Sequence, residues 1–584
     1  MSHSLSRPGR LDALVRIVVF SIAAALLPLR NASAMVVISG LDEAQEANVR
    51  ALLPLATAAC KTGRWRIQRL FRDADSHIHR ALQALGFYSA SLSKQLTWEE
   101  TCWRATIAIE PGEPVRLDDI DIAVEGPAGE DPAVLAKLAI NKPQAGDILN
   151  HSHYEAYRDK LRNAALERGY FDAHFLQHQV LVDVPTRSAR MTLRLDSGLR
   201  YHFGEITFTP GILRRELLQQ FADIEPGDPY DARNVAMLSA ALSDSGYFGS
   251  VEVVTGPLDP ETRTVPITVT LTPGNSRTYT TGIGFSTDTG PQVRLGYDDR
   301  RRNERGAQFE SRLFASEVTS ELSATYRWPH RDPRKEWFTV GAGFQQENTD
   351  SSDSDTYKLG ISRTRNLSGK WLEKPYLELV YEDFTVGSDD GHSRLLIGGI
   401  NWESVTGREL GRIKRGRMLS FDIRGAAEQL GSDTSFLQLR ARGKWIRSID
   451  AKTRILVRTA MGATIKESLS ELPASVRFFS GGDRSVRAYE FESLGPRDSF
   501  GDVIGGSHLI EASIEIDRVV RGNWAIAAFF DTGSAFNADP EFSSGTGLGL
   551  RWQSPIGPIR LDFATPLDDS DTQLRVHFSM GPDL

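Results

Sequence analysis

Hydrophobic and polar positions follow two different textures along the chain, and the textures meet near Ser276. Before it, apolar residues recur at helical spacing and then switch to period-two alternation, three times over. Each copy has a helical stretch ending in Gly-aromatic-aromatic: Ala84-Leu85-Gly86-Phe87-Tyr88, Glu167-Arg168-Gly169-Tyr170-Phe171 and Asp244-Ser245-Gly246-Tyr247-Phe248. A glycine just past a helix suits the left-handed C′ position, which disfavours a side chain. The aromatics after it are expected to start a strand and pack beneath the helix. The copies also close alike, in Pro111–Arg116, Asp196–Arg200 and Thr272–Arg277, and Ala145-Gly146-Asp147 and Pro226-Gly227-Asp228-Pro229-Tyr230 precede the second and third helical stretches. Ala105–Ile109, Met191–Leu195 and Val265–Leu271 alternate as half-buried strands do. A β-α-α-β-β unit of about 80 residues therefore repeats three times across Met35–Asn275.

After Ser276 helical spacing disappears, and short alternating runs between Gly, Asp, Asn and Ser turns take over. Phe338, Val340, Ala342 and Phe344 share one face; Leu437, Leu439, Ala441 and Trp445 oppose Gln438, Arg440, Arg442 and Lys444. Ile510, Ala512, Ile514 and Ile516 oppose Glu511, Ser513, Glu515 and Asp517, and Leu574, Val576, Phe578 and Met580 oppose Arg575, His577 and Ser579. A soluble sandwich would alternate as well. Two features favour a membrane barrel: charges stand in rows on the polar face, as a wet lumen permits, and Trp328, Trp337, Tyr376, Trp445, Trp524 and Trp552 lie near strand ends, as interfacial girdles do. Residues 276–584, at about 19 per strand and connection, make about 16 antiparallel strands.

Composition adds the compartment. Arg7, Arg10 and Arg16, the apolar run Ile17–Leu29 and Ala32-Ser33-Ala34 read as a cleavable export leader over residues 1–34. That run spans about 20 Å as a helix, short of a bilayer core of about 30 Å. The net charge of −8 (68 basic, 76 acidic residues) lacks the basic footprint of a nucleic-acid binder. Cys60 and Cys102 alone cannot build a zinc-ribbon site. In an oxidising compartment they are expected to form one disulfide, closing a loop of about 40 residues and stabilising by roughly 4 kcal/mol in the chain-entropy model.

Val476–Pro496, with Gly481-Gly482-Asp483 and Val486-Arg487-Ala488-Tyr489 at its centre, resembles the sixth-loop motif of the POTRA-containing outer-membrane assembly factors, the BamA-like family. Phe529-Phe530-Asp531-Thr532-Gly533 and Gly545–Trp552, continuing through Ser554–Phe563, resemble the same family. Its motif core has glycine where this chain has Ala488, which puts in doubt any turn needing positive φ there. The resemblance implies POTRA domains at 35–112, 113–198 and 199–275 and an outer-membrane barrel at 276–584. Three such domains, and the Gly581–Leu584 terminus, are similar to the translocation-and-assembly-module branch.

What that branch implies is a barrel in the cell outer membrane and an arm in the periplasm. A TamB-like inner-membrane-anchored partner would contact the arm, whose open sheet edges suit strand-wise binding. Clients would be outer-membrane proteins, autotransporters included, in contact with membrane lipids. Arg487 matches the arginine that meets an acidic wall residue, and Asp531 and Gly533 match that wall; strand parity independently turns Asp531 inward. The first strand is expected within Thr278–Phe285 and the last within Gln573–Met580. Gly282 and Gly284 would weaken the first, Gly581-Pro582 would stop pairing beyond Phe578 and Met580, and the join would be a seam that opens to a client strand. Ordinary strand punctuation accounts for the same glycines.

Catalytic and metal chemistry find no support. His77/His79 and His151/His153 diverge on helices, Ser91–Lys94 fits S-x-x-K without companion motifs, and Gly545–Gly549 lies in a strand pattern. No cofactor, metal or nucleic acid is expected, and no enzyme. A passive pore, a general outer-membrane protein assembly factor and a two-partner secretion pore are the competing readings; a barrel-borne hydrolase would need a Gly-x-Ser-x-Gly elbow that the chain lacks.

Overall fold

The computed structural model describes residues 35–100, 102–209, 211–407, 412–466, 469–554, 557–568 and 574–580. The expected leader, Gln573 and Gly581–Leu584 lie outside them. Each repeat forms one three-stranded sheet backed by two helices. The first comprises β1 (Met35–Ser39), α1 (Glu43–Leu52), α2 (Arg64–Ala84), β2 (Ser91–Trp98) and β3 (Trp103–Glu110), with sheet order β1-β3-β2. The second comprises β4 (Arg116–Glu125), α3 (Pro132–Ala139), α4 (His151–Glu167), β5 (His174–Asp183) and β6 (Ser188–Asp196), ordered β4-β6-β5. The third comprises β7 (His202–Thr209), α5 (Arg215–Phe221), α6 (Ala232–Asp244), β8 (Phe248–Thr255) and β9 (Thr264–Pro273), ordered β7-β9-β8.

Local chemistry explains these elements. Asp42 and Gln45 close a reciprocal capping box that starts α1. Trp103, Ala105, Ile107 and Ile109 alternate inward along β3 and bury against Ile67, Ala74, Ile78 and Leu82 of α2, at i, i+4 and i+7 spacings. Cys60 and Cys102 are bonded, tying the segment before α2 to the β2–β3 turn.

Gly86, Gly169 and Gly246 all have positive φ, at 93°, 86° and 75°. Only in the third copy does the strand begin on the aromatics. In the first two it begins at Ser91 and His174, and the Gly-aromatic-aromatic residues form the junction with the following repeat. Val115 N–H donates to Gly86 O at 2.9 Å, and Tyr88 Oη lies 2.7 Å from His151 Nε2. Tyr201 N–H donates to Gly169 O at 2.9 Å, and the Phe171 ring meets Tyr201 and Tyr230 edge-on. A Cβ on Gly169 would stand 2.8 Å from Tyr230 Cβ, so this junction requires glycine.

Arg168, one residue before that glycine, donates to Asp131 at 3.0 Å and to Asp231 at 2.5 Å. Burial alone would raise the Asp131 pKa; hydrogen bonds from Arg168 and the Ala133 N–H outweigh it and hold the carboxyl below its usual range.

Beyond the repeats, sixteen antiparallel strands, from β10 (Arg277–Ser286) to β25 (Arg575–Met580), close into a barrel. Its outer face is apolar, as at Leu439, Ile514 and Leu548, while Gln438, Asp517 and Asp531 on the inner face are fully buried. No helix among the described residues is long and apolar enough to cross a membrane.

Two aromatics expected in the outer girdle turn inward instead. Trp337, on β14 (Glu336–Asn348), donates to Pro333 O and lies under the Arg327 guanidinium. Tyr376, on β16 (Leu372–Val386), donates to the Asp422 carboxylate. Their neighbours Phe338 and Leu377 hold the outward parity, and nearness to a strand end carries no information about face. Trp328, Trp445, Trp524 and Trp552 keep the outward parity, and Trp524 stacks on Trp552 at 5.3 Å.

Replacing Arg168 with alanine leaves Asp131 and Asp231 without their shared guanidinium. It should destabilise the α4 end by about 2–3 kcal/mol, read as faster amide hydrogen exchange in α4 of the intact protein. Asp131 adds stability that is present above its unfolded pKa and lost as pH falls through its lowered folded pKa, so in wild type the same amides should lose protection only below about pH 4.

Candidate functional site

Between β20 (Thr453–Lys466) and β21 (His508–Arg521), residues 469–507 fold back into the lumen rather than away from it. Phe478 and Gly506 exchange backbone hydrogen bonds at 2.9 and 2.7 Å, and Ser480 and Leu494 exchange another pair. At the tip Gly481 and Gly482 have φ of 106° and 101°. A Cβ on Gly481 would collide with Glu490 O at 2.2 Å, so the reversal depends on glycine there.

The reversal presents Val486, Arg487, Ala488 and Tyr489 to the wall made by β21, β22 (Trp524–Phe536), β23 (Ser543–Ser554) and β24 (Gly557–Pro566). Val486 is fully buried against Gly533, where a Cβ would stand 2.9 Å from Val486 Cγ2. Arg487 makes a two-pronged contact with Asp531, Nε to Oδ2 at 2.7 Å and Nη2 to Oδ1 at 2.8 Å. Its Nη1 also reaches Glu515 at 2.8 Å and Asp562 at 3.3 Å, and its Cζ lies 3.4 Å from the Phe529 ring centre.

Arg551 bridges the same Glu515 and Asp562, and Arg458 stands 3.9 Å from Asp531. Three guanidiniums thus face three carboxylates in a buried layer, which is how charges survive away from water. Its geometric use is orientation: the planar fork can satisfy Asp531 in one direction only.

Ala488 resolves a conflict posed by the sequence. It is not among the residues with positive φ, so its side chain meets no backbone penalty. Its Cβ instead occupies the space over Gly545, where an added Cβ would stand 2.4 Å away. The room is supplied by the missing side chain on the wall.

The seam lies beside this loop. Strand β10 pairs along its whole length with β11 (Gly290–Asp299), and β25 pairs with β24 from Arg575 to Met580. Between β10 and β25, among the described residues, a single pair is in register, Ser286 with Ser579. Thr287 N–H donates to Phe578 O at 3.1 Å, and Phe578 N–H to Thr287 Oγ1 at 2.6 Å. Tyr279 and Ile283 on β10 are 73% and 83% exposed, above Leu548 at 67% and Val293 at 45% elsewhere on the outer face.

Gly282 and Gly284 sit opposite Arg294 and Gln292, where a Cβ would meet only ordinary contacts. Neither glycine is therefore required by a close approach, and the pairing that is scarce is that between β10 and β25. Met580 pairs with Ile559, not across the seam.

Glu515, Asp562, Arg551, Phe529, Gly545 and His577 were not singled out as site residues by sequence reasoning. Their inward parity was legible, but which of many inward charges the loop would meet depends on strand register, which a sequence does not carry.

Gly545→Ala should destabilise the barrel by about 2 kcal/mol through overpacking against Ala488. Ala488→Gly alone should also lose about 1 kcal/mol, since it relieves no strain. The double variant should recover most of the Gly545→Ala loss, as read from the unfolding midpoint of the folded barrel on semi-native gels.

Comparison with known proteins fits this geometry. The Omp85 superfamily domain matches residues 266–583, a POTRA domain described as TamA domain 1 matches 35–111, and a surface antigen variable number repeat matches 201–274. The outer membrane protein assembly factor BamA of Nitratidesulfovibrio vulgaris is 23% identical over 61% of this chain and 48% of its own length, so the chain spans about half of that relative. BamA of Neisseria meningitidis is 22% identical over 84% of this chain and 70% of its own length. The crystal structure of BamA from Haemophilus ducreyi lacking POTRA domains 1-3 has the same fold, with a TM-score of 0.68 at 15% identity over 80% of this chain and 99% of that one. The superfamily domain covers more than half of the sequence and coincides with the sixteen-stranded barrel and its inward-folded loop: the chain belongs to the Omp85 superfamily.

Proposed function

We propose that this protein is a TamA-like subunit of a translocation and assembly module, with its barrel in the outer membrane and its three-repeat arm in the periplasm. It assists insertion or translocation of outer-membrane proteins, autotransporters among them, and its arm meets a TamB-like inner-membrane-anchored partner. The observation that carries the insertase reading is the seam: among the described residues one in-register pair joins β10 to β25, beside neighbours joined by six or more. An edge so sparsely paired presents unsatisfied backbone donors and acceptors, which a client strand can satisfy by β-augmentation. The three-unit arm and the match of its first domain support the TamA-like assignment over a general assembly factor.

A cysteine pair at Ser286 and Ser579, crosslinked, should abolish client insertion and recover it on reduction; undiminished insertion with the seam locked would refute the reading. Arg487→Glu should lower insertion at least tenfold, with partial rescue by Asp531→Arg, because loss of one buried partner strands the other's charge. Full activity of the single variant would show that the clamp is dispensable. Copurification with a TamB-like protein rather than with other assembly-machine subunits would separate the two branches.

A further inference from the structure

The lumenal loop reaches beyond the wall cluster and touches both sides of the seam. On the β10 side, Ser286 Oγ donates to Asp483 Oδ2 at 3.1 Å, and Asp483 N–H donates to Asp288 Oδ2 at 2.5 Å. Gly482 makes the approach possible, since a Cβ there would stand 2.7 Å from that same Asp288 oxygen. On the β25 side, His577 Nε2–H donates to the backbone carbonyl of Arg487 at 2.5 Å, and Arg575 Nη2 donates to Glu490 at 2.6 Å. The imidazole then closes the circuit: its Nδ1 lies 3.4 Å from Asp288 Oδ1, an ion pair when both ring nitrogens carry protons, joining the last strand directly to the turn after the first. His577 and Asp288 are both nearly buried, at 5% and 6% side-chain exposure.

We infer that the lumenal loop is the clasp of the seam, with His577 and Asp288 as positioning residues that hold β10 and β25 together where backbone pairing is scarce. The inference rests on the seam being the working part of the molecule and adds what governs its opening. Arg487 fixes the loop to the β21–β24 wall through its side chain and to β25 through its carbonyl. The wall cluster and the seam therefore share one residue, and the seam separates only when loop contacts on one side are given up. Both ring nitrogens of His577 face oxygen, so no apolar ring can replace it; a glutamine amide can still donate to the Arg487 carbonyl.

Amide hydrogen exchange on the full chain in phosphatidylcholine vesicles tests this. Peptides over Arg277–Ser286 and Arg575–Met580 report the seam, and one over Arg415–Phe421, on a strand about halfway round the barrel, serves as the control. His577→Phe and Asp288→Asn should each lower seam protection about tenfold with the control unchanged. The double variant should lose less than the two losses combined, and His577→Gln should recover part of the protection. Unchanged seam protection in both single variants would overturn the clasp, as would equal loss in the control peptide, which would mark general loosening of the barrel. Lower seam protection with undiminished client insertion would leave the clasp standing and count against the insertase reading instead.

Discussion

A guanidinium buried inside a protein must be met by carboxylates, and the way Arg487 meets this constraint organises the barrel around it. Its carboxylates come from three strands of one wall: Glu515 from β21, Asp531 from β22 and Asp562 from β24. No two of them are close in sequence, so the contact forms only when those strands are in register and the loop has turned back on Gly481 and Gly482. The arginine acts as a test of correct assembly as much as a source of stability: a slip of one residue in any of these strands would turn its carboxylate to lipid. Such a buried cluster contributes specificity more dependably than net free energy.

Much of this organisation was legible in the sequence because it rests on period and parity. The threefold unit, the helix-ending glycines, the inward turn of Asp531 and the sixteen strands all follow from counting positions. What could not be counted was register. Gly282 and Gly284 can be picked out of the sequence, but how few described pairs join β10 to β25 cannot. Trp337 and Tyr376 depart from the expected girdle for a related reason: proximity to a strand end does not fix the face, and Phe338 and Leu377 next to them hold the outer one. Ala488 was suspect while judged alone, and only Gly545 across the lumen explains it.

The wall cluster and the seam are chemically opposite neighbours. On β21–β24 the backbone ladders are complete and charged side chains are locked in several directions at once. At β10–β25 the ladder is nearly absent, and a few polar contacts from the loop stand in for it. Rigidity on one side of the loop makes looseness on the other usable, since a loop anchored nowhere could hold neither strand.

The Gly-aromatic-aromatic signature shows how the arm is joined to this machine. In the first two copies it forms a socket for the repeat that follows. In the third, Tyr247 donates its hydroxyl to Gly306 O at 2.6 Å, in the turn between β11 and β12 (Gln308–Ala315), and that glycine has φ of 74° with no space for a Cβ beside Leu217 and Tyr247. The barrel thus presents, in one short turn, the surface that a further repeat would otherwise have presented. An arm built on this grammar can gain or lose interior members while its final connector stays fixed, so arm length and barrel chemistry are free to diverge separately among proteins that share the plan.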